Sequence, residues 1–249
     1  MQSEELTVET TPNLWVKMQS IAFAVVAIML SLGQWNDTKD AVEVIYESVI
    51  TNFTNEIEYE QLEQIKVGQT HDYIQSLIGV AQASKPSKIN PAVNFFYYGQ
   101  DKYLLTIAVK AERVVGYSVV ALTDSFSAGV PYSELSLLET PMSRQVTEFE
   151  RYFTDFGNLD YYAESHTLGR NAMFYNLLLA TVDYGQMAPP AQQAIQSLNR
   201  QLNMGAEVQA TDLQPLRQQT PNAFALSEVG PEIMAEALLT QFEFTAFFR

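Results

Sequence analysis

Cysteine is absent from this 249-residue chain. Disulfides, thiol nucleophiles, cysteine-ligated metals and a lipobox-type lipid anchor are therefore excluded. The compartment stays open, because cysteine-free domains occur on both sides of a membrane. Histidine is nearly as scarce: His71 and His166 are the only two, a poor basis for a zinc site. Basic side chains are few, with 14 Lys and Arg against 29 Asp and Glu and a net charge of −15. Setting aside Glu4, Glu5, Glu9 and Lys17 leaves 26 acids against 13 bases in residues 36–249. Such a surface is repelled by nucleic acid and by anionic headgroups, so no nucleic-acid partner is expected and the acidity reads first as solubility. Catalytic signatures are missing too. There is no G-x-S-x-G, no Walker loop and no G-x-G-x-x-G, which leaves serine hydrolysis and phosphate binding without a starting point. No residue is assigned a catalytic, cofactor-binding or metal-binding role, and no cofactor is expected.

What the chain has is apolar mass. Hydrophobic residues make up 47% and aromatic residues 12%, enough for a real core and one or two domains. The most apolar stretch lies between the only two tryptophans, Trp15 and Trp35. Residues 21–33 carry no charge, and a helix between the two indoles would span roughly 30 Å, the thickness of a bilayer core. Indole rings favour the membrane interface, and Lys17 can snorkel there. Residues 14–35 are therefore expected to be a single-pass transmembrane anchor, placing the protein in a membrane. Two other readings compete. A signal peptide needs a basic n-region and a small-x-small cleavage site, whereas three Glu accompany Lys17 here and Ser31-Leu32-Gly33 fits poorly. A buried core helix is the other. Positive-inside counting ties, with Lys17 before the span and Lys39 after it.

Residues 1–13 read as an acidic, disordered tail. Asn36 to Thr38 can cap a helix, and Val42, Ile45, Tyr46, Val49 and Phe53 continue with helical spacing, giving a stalk helix over 36–55. Thr70 is an expected N-cap, Ile74, Leu77 and Ile78 an apolar stripe, and Gly79 a helix stop. Residues 83–91 read as a loop. Three strand-like runs follow at 93–98, 103–109 and 114–122, joined by Gly99-Gln100-Asp101-Lys102 and Lys110-Ala111-Glu112-Arg113 as hairpin turns. Tyr103, Leu105, Ile107 and Val109 alternate with Leu104, Thr106 and Ala108, so one sheet face should pack on the 70–78 helix. Residues 56–125 are thus expected to form a helix-plus-antiparallel-meander domain.

The remainder, 126–249, reads as a mixed, mainly helical region. Residues 159–166 fit a strand, and Asn171 a cap for a buried helix through Met173, Leu177 and Ala180. An amphipathic helix runs from Pro190 through Ile195 and Leu198 to a stop at Gly205. Residues 206–226 read as irregular, and a last helix follows with Phe242, Phe244, Phe247 and Phe248 crowding its end. The fold class expected is α+β, with an N-terminal transmembrane helix ahead of these regions.

The run Ile65-x-x-Gly68-x-Thr70-x-x-x-Ile74-x-x-Leu77-Ile78-Gly79, followed by Tyr97-Tyr98, Leu105-x-Ile107-x-Val109 and Arg113-Val114, resembles the β-lactamase-inhibitor-protein-like fold. That fold is shared with the small outer-membrane assembly lipoproteins. The likeness covers residues 60–122 and departs from the pattern at Gly79-Val80-Ala81, where G-x-P is usual. It implies a fold and no activity. The layout, with W-x-x-T-K over Trp35 to Lys39 and Y-x-E-x-x-x-x-G from Tyr162 to Gly169, resembles an uncharacterised family of bacterial single-pass membrane proteins. The first resemblance implies protein binding outside the cytoplasm, and so an extracytoplasmic placement of the bulk of the chain.

Two functions are carried forward. One is a membrane-tethered, non-enzymatic protein-binding or assembly module of unknown partner and oligomeric state, contacting that partner through the meander face and the acidic surface. Tyr97-Tyr98 and Phe95-Phe96 are candidate aromatic anchors for it. The alternative is a membrane-anchored, hydrolase-like enzyme. On a strand, Tyr162, Glu164 and His166 share a face, and Glu164, His166 and Arg170 could do acid–base work if they lined a cleft. Set against it is a polar network tying strand to helix. His71, second in its predicted helix, reads as a surface residue.

Overall fold

The computed structural model describes residues 14–31, 39, 55–155 and 157–248. The expected tail over 1–13 lies outside the described residues. So does the stalk over 36–55, apart from Lys39 and Asn55, and so does Trp35. The chain divides into two units, Met1–Ile57 and Glu58–Arg249.

In the first unit, α1 spans Leu14–Ser31, 18 residues, about 27 Å at the helical rise. Lys17 and Gln19 interrupt its first turns, so the run free of strongly polar side chains begins only at Ser20 and covers roughly 18 Å. A bilayer core asks for about 30 Å. Among the described residues no helix is long and apolar enough to cross a membrane. The expectation of a transmembrane anchor, and with it the single-pass membrane localisation, is overturned.

In the second unit, eight strands among the described residues form one antiparallel sheet in the order β1-β2-β3-β4-β8-β7-β6-β5. The first four are β1 Ala83–Pro86, β2 Val93–Gly99, β3 Tyr103–Lys110 and β4 Arg113–Ala121. The others are β5 Arg151–Thr154, β6 Tyr161–Thr167, β7 Asn176–Val182 and β8 Ala223–Ser227. Two four-stranded antiparallel halves, the first of them a meander, thus meet edge to edge, each through its last strand, with Gly116 facing Ser227 and Val120 facing Ala223.

The first meander follows from local chemistry. Before it, α2 spans Glu56–Gln64 and α3 His71–Ile78. The Thr70 side chain accepts the Tyr73 N–H, and Gly79 ends α3 at φ +87°, its N–H donating to the Gln75 carbonyl. The β3–β4 turn is two residues, Ala111 and Glu112, both at positive φ (49° and 58°), the twist that a tight hairpin requires. Ile74, at 0% exposure, anchors α3 against Leu105, Ile107 and Val109. Leu77, expected in the core, is only half-buried.

The mainly helical reading of 126–249 is corrected, because this region supplies β5 to β8. The expected helix from Asn171 is a short 3-10 turn, Arg170–Ala172, followed by β7. Leu177 to Val182 are buried on both faces of the sheet, so the strand reads as a continuous apolar run, which periodicity cannot tell from a buried helix. The stretch taken as irregular contains α6, Ala210–Arg217, and β8. The expected loop over 83–91 begins with β1, an edge strand short enough to carry Pro86. The last expected helix is two, α7 Pro231–Glu236 and α8 Gln241–Phe248. The strand over 159–166 and the amphipathic helix are present as β6 and α5, Pro189–Asn203. A further single turn, α4, covers Met142–Gln145.

Both faces of the sheet are buried. One carries Tyr98, Leu105, Tyr117, Leu179 and Phe224 beneath α3, α5 and α6. The other carries Phe95, Tyr97, Leu104, Val120 and Leu178 beneath α7 and α8. Gly116 permits that second layer, since a Cβ there would stand 2.9 Å from the Met234 sulfur and 2.7 Å from Ser227 Cβ. The Tyr97 hydroxyl donates to the Ala237 carbonyl at 2.8 Å and pins the end of α7.

Candidate interaction face

The aromatic anchors expected on the meander are inside: Phe95, Tyr97 and Tyr98 are buried. His71 is also buried, against expectation. Its ring packs against that of Phe96, tilted by 40° with centroids 4.0 Å apart, and its Nε2 lies 3.3 Å from the Tyr98 hydroxyl. Helix α3 turns its first residue onto the sheet, because the backbone N–H of His71 donates to Glu112 O and Val114 N–H to Gln69 O, drawing residues 69–71 alongside β4.

Glu164 and His166 share a face of β6, as expected, but Arg170 does not complete a triad. Glu164 is buried and takes Arg217 of α6 as its cation. The Tyr162 hydroxyl donates to the same carboxylate oxygen at 2.8 Å. Burial pushes the Glu164 carboxyl above the usual range, while Tyr162 and Arg217 pull back against it. Burial, with the Glu164 carboxylate alongside, likewise raises the Tyr162 phenol far above its ordinary value. This is the polar network that ties strand to helix. Arg170 is exposed on the β6–β7 turn.

The exposed features worth a function lie at that turn and at a second one beside it. Residues 128–137 form a small hairpin: Leu137 N–H donates to Ala128 O, Val130 N–H to Leu135 O, and Gly129 bridges Ser136. Tyr132 sits at its tip with φ +59°. In the β6–β7 turn, Leu168 N–H donates to Tyr175 O and Phe174 N–H to Gly169 O. Met173 and Phe174 are consecutive left-handed residues there, φ +52° and +56°. Non-glycine residues adopt this region at a cost of about 1–2 kcal/mol each, and aromatic side chains are uncommon in it. All three are nonetheless large, apolar and open to solvent, 56%, 62% and 64% exposed for Tyr132, Met173 and Phe174.

These tips stand over the sheet. The Tyr132 ring packs 6.4 Å from that of Tyr175, and the Tyr175 hydroxyl lies 3.7 Å from the Met173 sulfur. Between them is a recess of about 300 Å³, floored by Tyr117 and Leu226 of the central strands and walled by Lys66 and Pro131. A larger cleft of about 500 Å³ adjoins it between α2 and the 127–136 loop, with Phe224 on its floor and Glu63 on its wall. Tyr59 of α2 fixes the hairpin base, its hydroxyl accepting the Ser127 N–H at 3.0 Å. Burial and the neighbouring Tyr132 raise the phenol of Tyr117, and also that of Tyr175. Both hydroxyls therefore stay protonated at neutral pH. The described residues contain no group of three or more His, Asp or Glu able to hold a metal.

No protein-family model matches the chain, and comparison with curated proteins returns no match. The single-pass family resemblance is therefore without support. Among solved structures, the chain is similar to a cysteine-rich secretory protein from Staphylococcus aureus at 12% identity and a TM-score of 0.33, over 65% of this chain and 44% of that one. It is similar to an extracellular protein containing an SCP domain from Bacillus anthracis at 11% identity and 0.34, over 71% and 46%. It is also similar to a beta-lactamase-inhibitor-like protein from Streptococcus mutans at 10% identity and 0.27, over 53% of this chain and 92% of that one. The chain spans less than half the length of the first two proteins.

Proposed function

We propose that this chain is a non-enzymatic protein-binding or assembly module, and that its docking face is formed by the two hairpin tips carrying Tyr132, Met173 and Phe174. The observation that carries the reading is the placement of three large apolar side chains in left-handed backbone while open to water. Solvent gives no reason to hold such side chains there, and residues kept in strained backbone gather at binding and catalytic sites. Exposed apolar clusters beside a recess mark interaction surfaces, and aromatic residues and methionine are enriched at the cores of interfaces. The sheet face first expected to dock is covered by helices and takes no part. The membrane tether is not carried into the proposal.

The test compares the wild-type full chain with the double variant Tyr132→Ser, Phe174→Ser as bait. Both residues are more than half exposed, so the melting temperature should stay within about 2 °C, as for other surface changes. A partner retained by wild type and lost by the variant at unchanged melting temperature supports the docking face. A partner retained equally by both sinks it.

A further inference from the structure

We infer that the partner presents an acidic segment with an apolar anchor to this face; the inference rests on the docking-face reading above. Two recesses share Tyr132. One is lined by Lys66 with Tyr117, Met173 and Tyr175. The other is lined by Arg170 with Leu168, Gly169 and Ala172. Lys66 and Arg170 are exposed. They are the ionised side chains of these two recesses, and no Asp or Glu lines either. That is against the trend of a chain with 29 acids and 14 bases. Arg113, nearby on β4, is already neutralised by Glu228. The larger cleft next door brings in one acid, Glu63. By contrast, the cleft between β1 and α8 mixes both signs: Lys85 and Lys88 with Asp155, Glu232, Glu236 and Glu243.

Glu134 is exposed in the Tyr132 hairpin, but the two recesses themselves are lined by cations without acids, around apolar tips on an acidic molecule. At physiological ionic strength charges beyond about 8 Å are screened. A bound segment therefore senses Lys66 and Arg170 more than the net −15. Complementarity at contact asks for carboxylates flanking a side chain that fills the 300 Å³ recess, of the size of a leucine or a phenylalanine. The inference runs opposite to what the whole-molecule field would select, since a net charge of −15 attracts basic peptides from a distance.

The test pans a phage-displayed library of random dodecapeptides on the full chain, then measures enriched peptides by fluorescence polarisation at low and high salt. The expected consensus places Asp or Glu within a few residues of a large apolar side chain. Lys66→Glu with Arg170→Glu should weaken those peptides by about tenfold or more at low salt. Replacing the peptide carboxylates with lysines should restore binding to that charge-reversed chain. Neutral or basic consensus sequences, no enrichment, or affinity indifferent to the charge reversal would each overturn the inference. Tyr132→Ser with Phe174→Ser separates the two levels. Binding lost there but indifferent to charge reversal leaves the docking face standing and removes the acidic partner. Binding that survives both variants removes both. A concentration-dependent dimer that dissolves in the serine variant would assign the face to a second copy of the chain and overturn the acidic segment.

Discussion

Arg217 Nε lies 2.8 Å from Glu164 Oε1, at a point where Glu164 keeps 2% of its surface exposed. The approach is close in distance while the Nε–H is not aimed at the oxygen. The guanidinium spends its Nη2 instead on the Val146 and Thr147 carbonyls, at 2.6 and 3.2 Å, and lies over the Phe149 ring. One cation thus secures α6, the 146–149 segment and β6 together. Breaking such a pair from one side leaves a buried charge uncompensated. Arg217→Met should destabilise the chain by about 3–5 kcal/mol. Glu164→Gln should be milder, and the two changes should combine sub-additively because the sites touch. Urea denaturation of the four chains measures this cycle; strict additivity would mean that the pair does not couple.

The same carboxyl sets a pH dependence. Its native pKa is raised, first by burial, with Tyr162 and Arg217 opposing. A raised pKa means that the native state holds the proton more tightly than the unfolded chain. The contribution of Glu164 to stability is then fully present below the unfolded value near 4.5 and is lost as pH rises through the native value. Wild type minus Glu164→Gln should therefore shift against wild type as pH rises above about 4.5. Removing Arg217 should extend the window to higher pH. Denaturation of the three chains across that range checks the sign, and a difference that moves in favour of wild type would contradict it.

How much of this was legible depends on where the controlling contacts lie in sequence. Thr70, Gly79 and the Ala111-Glu112 turn act on their own neighbours, so α3 and strands β2 to β4 could be read directly, while the short edge strand β1 could not. Strand β7 could not, because packing on both faces erases the alternation that marks a half-buried strand. Strand β8 is five residues long, follows a Gln- and Pro-rich stretch, and exists through its pairing with β4 and β7. Glu164 was legible as a residue in need of a partner, but Arg217 is distant in the chain and only the fold brings it there. The docking face had one available signal, the turn-forming Gly169-Arg170-Asn171 between two apolar runs. Read as a helix cap, it concealed the exposure of Met173 and Phe174.

Glu236 closes the β1–β2 connection from a distance. Its carboxylate accepts the Ser87 hydroxyl and the N–H groups of Lys88, at 2.6 Å, and Ile89, at 3.3 Å. Glu236→Ala removes all three hydrogen bonds and leaves the buried Ser87 hydroxyl without its acceptor. A loss of about 1–3 kcal/mol is expected from that alone. The effect should be local first: amide exchange at Lys88 and Ile89 should accelerate well beyond that of β3. Equal acceleration throughout the sheet would show instead that the loop opens only with global unfolding.

Gly116 and Ile74 test the two layers separately. Ile74→Ala opens a cavity between α3 and the sheet and should cost about 2–5 kcal/mol. Leu77→Ala, at a half-buried site, should cost less. Gly116→Ala overpacks the opposite layer. Met234 can shift its flexible end, but Ser227 belongs to the paired strand and has less freedom to move. A loss of about 1–3 kcal/mol is expected. Thermal denaturation ranks the three, and a Leu77 variant worse than the Ile74 variant would show that the helix face is misassigned.

The left-handed pair Met173 and Phe174 makes the docking face testable through stability as well as binding. If the chain were selected for stability alone, residues suited to positive φ would stand there. Glycine reaches this region without steric cost, and asparagine visits it far more readily than a bulky residue does. Relief of about 1–2 kcal/mol of backbone strain is offset in part by the extra unfolded-state freedom of glycine, roughly 0.5–1 kcal/mol. Phe174→Gly should therefore be neutral or stabilising by up to about 1 kcal/mol, and Met173→Asn should gain somewhat more because it adds less unfolded freedom. Both should bind the partner less well, since each removes an exposed apolar side chain of the β6–β7 turn. Such a trade of stability for function is expected where a strained conformation serves a site. The decisive measurement is a melting curve and a binding curve on the same two variants. A clear fall in melting temperature would show that these side chains hold the fold, and the case for a docking face built from them would fail.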